Sequence, residues 1–188
     1  VADKFADPNL VAADLIAQAE HDINSQAILI TNNKNMIQLV NLSLKKQLKK
    51  LPKKNIASKS LKNFGLIIFA NSKKKIIEAI NIISTEHLEL FTNMNSEIIK
   101  GVKNAGSIFI GKFSPEAVGD YIAGPNHVLP TSGSARFSSG LSVNDFLKRH
   151  SLIKITKTGI ERLGPSVINL AKHENLDGHA NSVKIRLK

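Results

Sequence analysis

Residues 64–91 read FGLIIFANSKKKIIEAINIISTEHLELF, and their pattern changes twice. The continuous apolar segment Phe64–Ala70 is typical of a buried strand. Ser72 is a good N-cap for a helix that continues to about Ser84, with isoleucines three and four residues apart on one face. His87–Phe91 is again short and largely apolar, as expected of a further strand. Strand, helix and strand in this order form the unit from which parallel sheets are built.

The same alternation extends to both sides of this unit. Asp7 and Pro8 supply an N-cap and a first turn, which predicts a helix to about Asp22. The other predicted elements are a strand at Ala27–Thr31, a Lys-rich amphipathic helix at Asn33–Leu51, a helix at Ser96–Asn104 and a strand at Ser107–Ile110. Because the strands are continuous apolar runs, we expect an α/β fold with a mostly parallel, Rossmann-like sheet and helices on both faces.

The sequence changes character after about Leu141, so we divide it into residues 1–141 and a mainly helical tail, residues 142–188. Ser142 to Asp145 resembles a capping box, with Asp in place of the usual Glu or Gln. Further predicted elements are a strand at Ser151–Thr156 and helices at Thr158–His173 and Asn175–Arg186. The tail has too few apolar residues for a core of its own, so we expect it to pack on something else, such as a second subunit.

Composition narrows the class of protein. The chain has 188 residues, 42% of them hydrophobic, which is enough for a buried core. It has no cysteine, which excludes disulfides, thiolate catalysis and Cys-bound zinc. No apolar run approaches the roughly 20 residues of a membrane span, and no secretory signal begins the sequence, so we expect a cytoplasmic protein without a membrane partner.

The net charge of +11 raises the question of nucleic acid. Much of the charge lies in two lysine clusters, residues 45–54 and 73–75, which we interpret as solvated helix faces. Only 5% of the residues are aromatic and there is no tryptophan, so stacking platforms for single strands are scarce. A basic nucleic-acid-binding module is therefore an alternative function, and we expect no nucleic acid partner.

Residues 114–149 are rich in Gly, Ser and Pro, yet they carry Asp120, His127 and Arg136. Isolated ionisable groups among turn residues are typical of a loop that a rigid scaffold holds over a site. Asp120 and His127 would converge if the chain turned at residues 124–125. A carboxylate beside an imidazole indicates either a metal site or an acid/base pair.

Other candidates lie outside this loop. Gln18 and His21 are three residues apart, a spacing that places both on one face of the first helix. Glu86 and His87 open a strand, and a Glu beside a His is suitable for acid/base work. Ligands in such sheets bind beyond the carboxyl ends of the strands, so we expect this pair and the loop after Ile110 to line a crevice there. Without cysteine, imidazole, carboxylate and amide groups would favour Zn²⁺, Mn²⁺ or Co²⁺.

Several segments together resemble the histidinol dehydrogenase family, in order from Val1 to about Arg149 and again from Glu174. These segments are ADP at residues 6–8, VAADL at 11–15, QAEHD at 18–22, EHLEL at 86–90, NAGSIF at 104–109, GDY at 119–121, GPNHVLPT at 124–131, ARFSSGL at 135–141 and residues 174–180. The resemblance implies a zinc-dependent homodimer that reduces two NAD⁺. It would oxidise L-histidinol through L-histidinaldehyde to L-histidine, the last step of histidine biosynthesis.

The resemblance also implies roles for particular residues. Gln18, His21, Asp120 and His179 match the zinc ligands, which also contact the substrate. His87 would take the alcohol proton and Glu86 would activate water. His127 and Glu174 match substrate-binding positions. The tail with Glu174 and His179 would reach into the site of the other subunit.

Members of the family are about twice as long as this chain, which resembles their carboxyl-terminal half. The residues that contact NAD are expected mostly in the other half, so we assign none here. We therefore expect a fragment of a complete enzyme. The alternative is a truncated, catalytically inactive zinc-binding remnant of that enzyme.

Overall fold

The structure, a computed structural model, describes residues 1–52 and 54–187 of the chain. These residues form two compact units, Val1–Asp145 and a second one that begins at Phe146.

Four parallel strands form the sheets of the first unit, as β1 (Ile28–Thr31), β2 (Leu66–Phe69), β3 (His87–Leu90) and β4 (Ser107–Ile110). β1 pairs with β2, with Ile28 opposite Leu66, and β3 pairs with β4, with His87 opposite Ser107. All four predicted strands of this unit are thus confirmed, and their parallel direction with them.

The first residues of the chain join the two strand pairs. Ala2 forms parallel bridges with both Thr31 and Phe91. Its amide donates to the Ile30 carbonyl at 3.0 Å, and the Phe91 amide donates to the Val1 carbonyl at 2.9 Å. The strand order is therefore β2, β1, residues 1–2, β3, β4. A groove of about 810 Å³ is lined by β1, by β3 and by Val1 and Ala2.

The helices of the first unit are α1 (Pro8–Ala19), α2 (Lys34–Leu48), α3 (Lys54–Phe64), α4 (Lys73–Ile83), α5 (Asn95–Ile99) and α6 (Glu116–Tyr121). Two predicted caps are present: an Asp7 carboxylate oxygen accepts from the Asn9 amide, and the Ser72 hydroxyl accepts from the Lys75 amide. Such caps satisfy backbone donors that the first turn leaves unpaired.

Two cores lie on opposite faces of the sheet, because successive strand residues point to opposite sides. Leu29 packs with residues of α1 and α2, among them Ala12 and Val40. Ile30 packs on the other face with the α4 residues Ile76 and Ile80. Each buried Leu or Ile side chain stabilises the fold by roughly 1.5–3 kcal/mol. The expected α/β fold, with helices on both faces of a parallel sheet, is confirmed.

Several predicted helix bounds are wrong. The helix expected at Asn33–Leu51 ends at Leu48, and α3 was not expected. Pro52 explains the break, since proline disfavours a helical conformation in the residue before it and cannot donate a backbone hydrogen bond. The first helix ends at Ala19 rather than Asp22, the helix expected at Ser96–Asn104 is α5 and ends at Ile99, and α6 lies in the segment interpreted as a loop.

The second unit contains α7 (Lys157–His173) and α8 (Asp177–Lys184), followed by a 3₁₀ turn at Ile185–Leu187. The strand expected at Ser151–Thr156 is wrong, since these residues have no regular structure. A strand needs a partner for its backbone groups, and hydropathy alone does not provide one. Few apolar side chains of this unit are buried, among them Ala171 and Ala180, whereas Leu152 and Ile153 are exposed.

The capping-box pattern at Ser142–Asp145 is present on a single 3₁₀ turn. The Ser142 amide donates to an Asp145 carboxylate oxygen at 2.6 Å, and the Ser142 hydroxyl accepts from the Asn144 amide at 3.2 Å. Across residues 1–52 and 54–187, none of the helices has both the length and the apolarity needed to cross a bilayer.

Candidate functional site

The end of α1 meets the start of β3. Gln18, in the last turn of α1, places its Oε1 atom 3.3 Å from Nδ1 of His87. His87 is the first residue of β3, and Ser84 ends α4 in a left-handed conformation that redirects the chain toward it. Glu86 and His87 therefore lie at the amino end of β3. The expectation of a crevice beyond the carboxyl ends of the strands is wrong for this pair.

A close approach between two backbones fixes the position of Glu86. The Ser107 amide donates to the Glu86 carbonyl at 2.8 Å, and the Gly106 amide donates to the Thr85 carbonyl at 3.0 Å. A Cβ atom on Gly106 would lie 2.5 Å from the Glu86 carbonyl oxygen. Only glycine allows β4 to enter the sheet at this distance.

The chain after β4 returns to His87 through α6 and a turn. Gly124 adopts a φ of +98°, a conformation that favours glycine, and it separates Asp120 from His127. Asp120 Oδ1 lies 3.7 Å from His127 Nε2, so the predicted convergence of these two residues is confirmed. The His127 Nε2 atom in turn lies 3.0 Å from His87 Nε2, and the two rings are stacked with centroids 4.9 Å apart.

Glu116 is a member of this cluster that the sequence analysis missed. Its Oε1 atom lies 3.4 Å from His127 Nε2 and 3.7 Å from His87 Nε2, and its side chain is 11% exposed. A signal was present in the sequence. Ser114-Pro115 precedes Glu116 as a typical helix start, and Asp120 follows four residues later, on the same helix face.

Burial controls the charges of the cluster. It lowers the pKa of His87 to about 4, with the nearby His127 acting in the same direction, so His87 is neutral at neutral pH. Burial raises the pKa of Glu86, and the neighbouring carboxylate of Glu116 adds to this shift. Burial and Asp120 likewise raise the pKa of Glu116. Groups with shifted pKa values in one cluster are typical of sites of proton transfer.

His21 lies outside α1, which ends at Ala19, so the expectation that Gln18 and His21 share a helix face is wrong. Helix geometry therefore does not bring the two together. The His21 side chain is exposed, but its charge lowers the pKa of Glu86 and of Glu116, which places it within electrostatic reach of the cluster.

A second layer of carboxyl groups lies next to the cluster. Asp14, one helical turn before Gln18, interacts with Glu89, which lies two residues after His87 on β3. Burial, together with the neighbouring Asp14 carboxyl, raises the pKa of Glu89 to about 7. Glu89 Oε1 also accepts from the Glu116 amide at 2.8 Å.

Two sets of residues could hold a metal ion. The ligand atoms of His87, Glu116 and His127 lie within 4.8 Å of one another. The set expected from the resemblance is Gln18, His21, Asp120 and His179. Its imidazole nitrogens, carboxylate oxygen and amide oxygen fit zinc chemically. Of this set, Gln18 touches His87 and Asp120 approaches His127, so both border the same cluster.

Glu174 and His179 belong to the second unit, where both side chains are exposed. Glu174 is the C-cap of α7, and its amide donates to the Leu170 carbonyl at 3.1 Å. His179 lies in the first turn of α8, and its carbonyl accepts from the Ser182 hydroxyl.

Comparisons with known proteins agree with one another. A protein-family model described as histidinol dehydrogenase matches residues 1–187. Histidinol dehydrogenase of Pelagibacter ubique is 52% identical over 188 residues, which is 100% of this chain and 44% of that protein. The relative of the same name from Caldanaerobacter subterraneus is 48% identical over 99% of this chain and 43% of its own length.

A solved structure gives the same result. The crystal structure of histidinol dehydrogenase from Elizabethkingia anophelis superimposes with a TM-score of 0.90 at 41% identity. The match covers 99% of this chain and 43% of that one. The chain thus spans about 44% of the length of the curated relatives it matches. With the family model matching nearly every residue, the chain belongs to the histidinol dehydrogenase family.

Proposed function

We propose that the protein containing this chain oxidises L-histidinol through L-histidinaldehyde to L-histidine, with NAD⁺ and zinc, as the last step of histidine biosynthesis. The observation that carries the proposal is the cluster of His87, His127, Glu116, Gln18 and Asp120 beside Glu86, at the amino end of β3. The name of the relatives, histidinol dehydrogenase, supports histidinol as the substrate.

His87 is the base of the first oxidation. With the Gln18 amide oxygen as acceptor, Nδ1 of His87 carries the proton and Nε2 is left as the basic atom. Because His87 is neutral at neutral pH, this nitrogen is available to accept the proton of the substrate hydroxyl. NAD⁺, when bound, supplies the acceptor for the hydride that leaves the same carbon.

Glu86 serves the second oxidation. Its carboxylate takes a proton from water as the water oxygen bonds to the aldehyde carbon. The hydrate that results would give up a second hydride, for which a second NAD⁺ would be the acceptor, and its remaining hydroxyl protons, which leaves the carboxylate of histidine. A raised pKa makes Glu86 a stronger base than an ordinary surface carboxylate, and hydrogen bonds from residues 106 and 107 to the Thr85 and Glu86 carbonyls hold the backbone beneath it.

The proposed zinc ligands are Gln18, His21, Asp120 and His179. Zinc, when bound, supplies a positive charge that orients the amine and imidazole nitrogens of histidinol. His127 and Glu174 complete the substrate contacts. For His179 and Glu174 we propose a homodimer in which each tail serves the site of the other subunit. We also propose a cytoplasmic location and no nucleic acid partner.

The test uses the protein expressed from the complete reading frame that contains these residues. We expect NADH formation that depends on histidinol, yields two NADH per histidinol, stops with a chelator and returns with Zn²⁺. The Glu86→Gln variant should yield close to one NADH per histidinol, with the aldehyde trapped by semicarbazide, whereas His87→Gln should lose the first oxidation. A complete, folded, zinc-loaded protein that forms no NADH would refute the proposal and favour the inactive remnant.

A further inference from the structure

Glu116 is the only carboxylate that approaches both imidazoles of the cluster within salt-bridge distance, among the residues that the structure describes. One oxygen, Oε1, faces Nε2 of His127 and Nε2 of His87. The side chain is 11% exposed, so water screens these interactions little.

The backbone of Glu116 is tied to the strand that carries His87. Glu116 is the first residue of α6, and its amide donates to Glu89 Oε1 at 2.8 Å. Glu89 and His87 are two residues apart on β3, so their side chains lie on the same face of the strand. The strand β3 therefore positions both His87, the proposed base, and Glu89, which holds the backbone of Glu116.

The two imidazoles need such a partner. Their Nε2 atoms are 3.0 Å apart, and a hydrogen bond at this distance requires a hydrogen on one nitrogen and none on the other. The Gln18 contact at Nδ1 leaves Nε2 of His87 without a hydrogen, and the Glu116 carboxylate oxygen, 3.4 Å from Nε2 of His127, favours a hydrogen on that nitrogen. The carboxylate also compensates the positive charge that develops when His87 takes a proton from the substrate.

We propose that Glu116 is a positioning residue for His87 and His127, acting through their orientation and not as a metal ligand. This inference rests on the proposed oxidation of histidinol. It gives a function to a buried carboxylate that neither the zinc set nor the acid/base pair uses.

The kinetic test compares Glu116→Gln, Glu116→Asp and Glu97→Gln in the complete protein. Glu97 is an exposed glutamate whose partner is Lys73, so it is a matched control. We expect Glu116→Gln to lower kcat by roughly 10- to 100-fold, with KM for histidinol, zinc content and Tm nearly unchanged. Glu116→Asp keeps the charge and should retain more of kcat than Glu116→Gln. Glu97→Gln should behave as the parent protein.

Three results would overturn the proposal. Zinc content that falls with kcat in Glu116→Gln would make Glu116 a ligand. An unchanged kcat would remove its role. Equal losses in the Asp and Gln variants, in parallel with a lower Tm, would leave it a structural residue.

A second readout separates this inference from the proposed function. In protein labelled with ¹⁵N-histidine, the imidazole signals of His87 and His127 report which nitrogen carries the hydrogen. We expect both to shift in Glu116→Gln and to stay in place in Glu97→Gln. If the parent protein oxidises no histidinol but these signals shift, the proposed function fails and the positioning by Glu116 stands. Unchanged signals contradict the positioning whatever the activity.

Discussion

The carboxyl groups of Asp14 and Glu89 make the stability of the fold depend on pH. Glu89 titrates near pH 7 in the folded chain, against an ordinary value of 4.5, because burial and the neighbouring Asp14 oppose its ionisation. Between about pH 4.5 and pH 7, the unfolded chain has released the Glu89 proton while the folded chain still holds it. Rising pH therefore favours unfolding between about pH 4.5 and 7, and the effect levels off above that range.

We predict that Glu89→Gln removes much of this dependence. The free energy of unfolding of the variant, relative to the parent protein, should rise by about 1–3 kcal/mol between pH 4.5 and pH 8. Urea denaturation at the two pH values measures this difference, and comparison within each pH cancels the pH-independent cost of the substitution. Glu97→Gln, on the surface, is the control. Parallel pH profiles for the parent protein and Glu89→Gln would show that Glu89 is ionised in the fold at neutral pH.

The proposed zinc site leads to a prediction about the zinc content of variants that lack one ligand. His21→Ala and Asp120→Ala should each lower bound zinc well below one equivalent while the circular dichroism spectrum is unchanged, since a site that loses one ligand binds the ion more weakly. His173→Ala removes an exposed imidazole from α7 and should keep its zinc. Metal analysis of the dialysed complete protein gives the answer, and full occupancy in both ligand variants would refute the assignment.

The sequence predicted contacts between site residues that are close in the chain better than contacts between residues that are far apart in it. Asp120 and His127 could be paired because a Gly-Pro turn separates them. The contact between Gln18 and His87 joins two elements far apart in the chain, and no local pattern indicates it. Glu116 was missed because Pro115 was interpreted as part of a loop rather than as a helix start.

The close approach of β4 to β3 at Gly106 leads to a prediction about the packing of β4. Gly106→Ala would place a methyl group 2.5 Å from the Glu86 carbonyl, so β4 must shift away from β3. We expect a loss of roughly 1–3 kcal/mol in unfolding free energy. Gly178→Ala is the matched control, because nothing lies within 4 Å of its added Cβ atom and the change favours α8. Equal stability of the two variants would mean that the strands accommodate the methyl group without cost.

Strands and helices with a clear local sequence pattern were predicted well. The four strands of the first unit are apolar runs bounded by turns or caps, and each lies within two residues of its expected bounds. Residues 151–156 also contain apolar side chains, but they have no neighbouring strand and form none. Helix ends were less predictable. α1 ends at Ala19 with no Gly or Pro close behind it, and the end of α5 at Ile99 was missed although Gly101 directly follows its C-cap Lys100.

At the scale of the whole molecule, the second unit buries little of its own apolar surface. Leu152 is 94% exposed and Leu170 is 66% exposed. Exposed apolar side chains of this size are typical of surfaces that another chain covers. Either a second subunit, as proposed, or the rest of the complete protein would cover them, and the exchange of the tail that carries Glu174 and His179 distinguishes the two.

Mixing two inactive variants, so that one subunit complements the other, tests this exchange of tails. His21→Ala and His179→Ala should each be inactive, but a mixed dimer would hold one site with both defects and one site with neither. Random assembly of equal amounts should then restore about a quarter of the parent activity, because half of the dimers are mixed and each has one intact site. If each tail served its own subunit, every site would carry one defect and mixing would restore nothing.

The bridges of Ala2 also bear on how the two strand pairs come together during folding. The nitrogen of Val1 donates to the Glu89 carbonyl, which lies 88 residues later in the sequence. Contacts of such long range form late, since the intervening loop must be closed first. We therefore expect the β1–β2 and β3–β4 pairs to form separately during folding. The slow step of folding would be the joining of the two pairs through residues 1–2. Until the two pairs join, the edges of β1 and β3 that flank residues 1–2 lack backbone partners, which leaves them open to pairing with another chain.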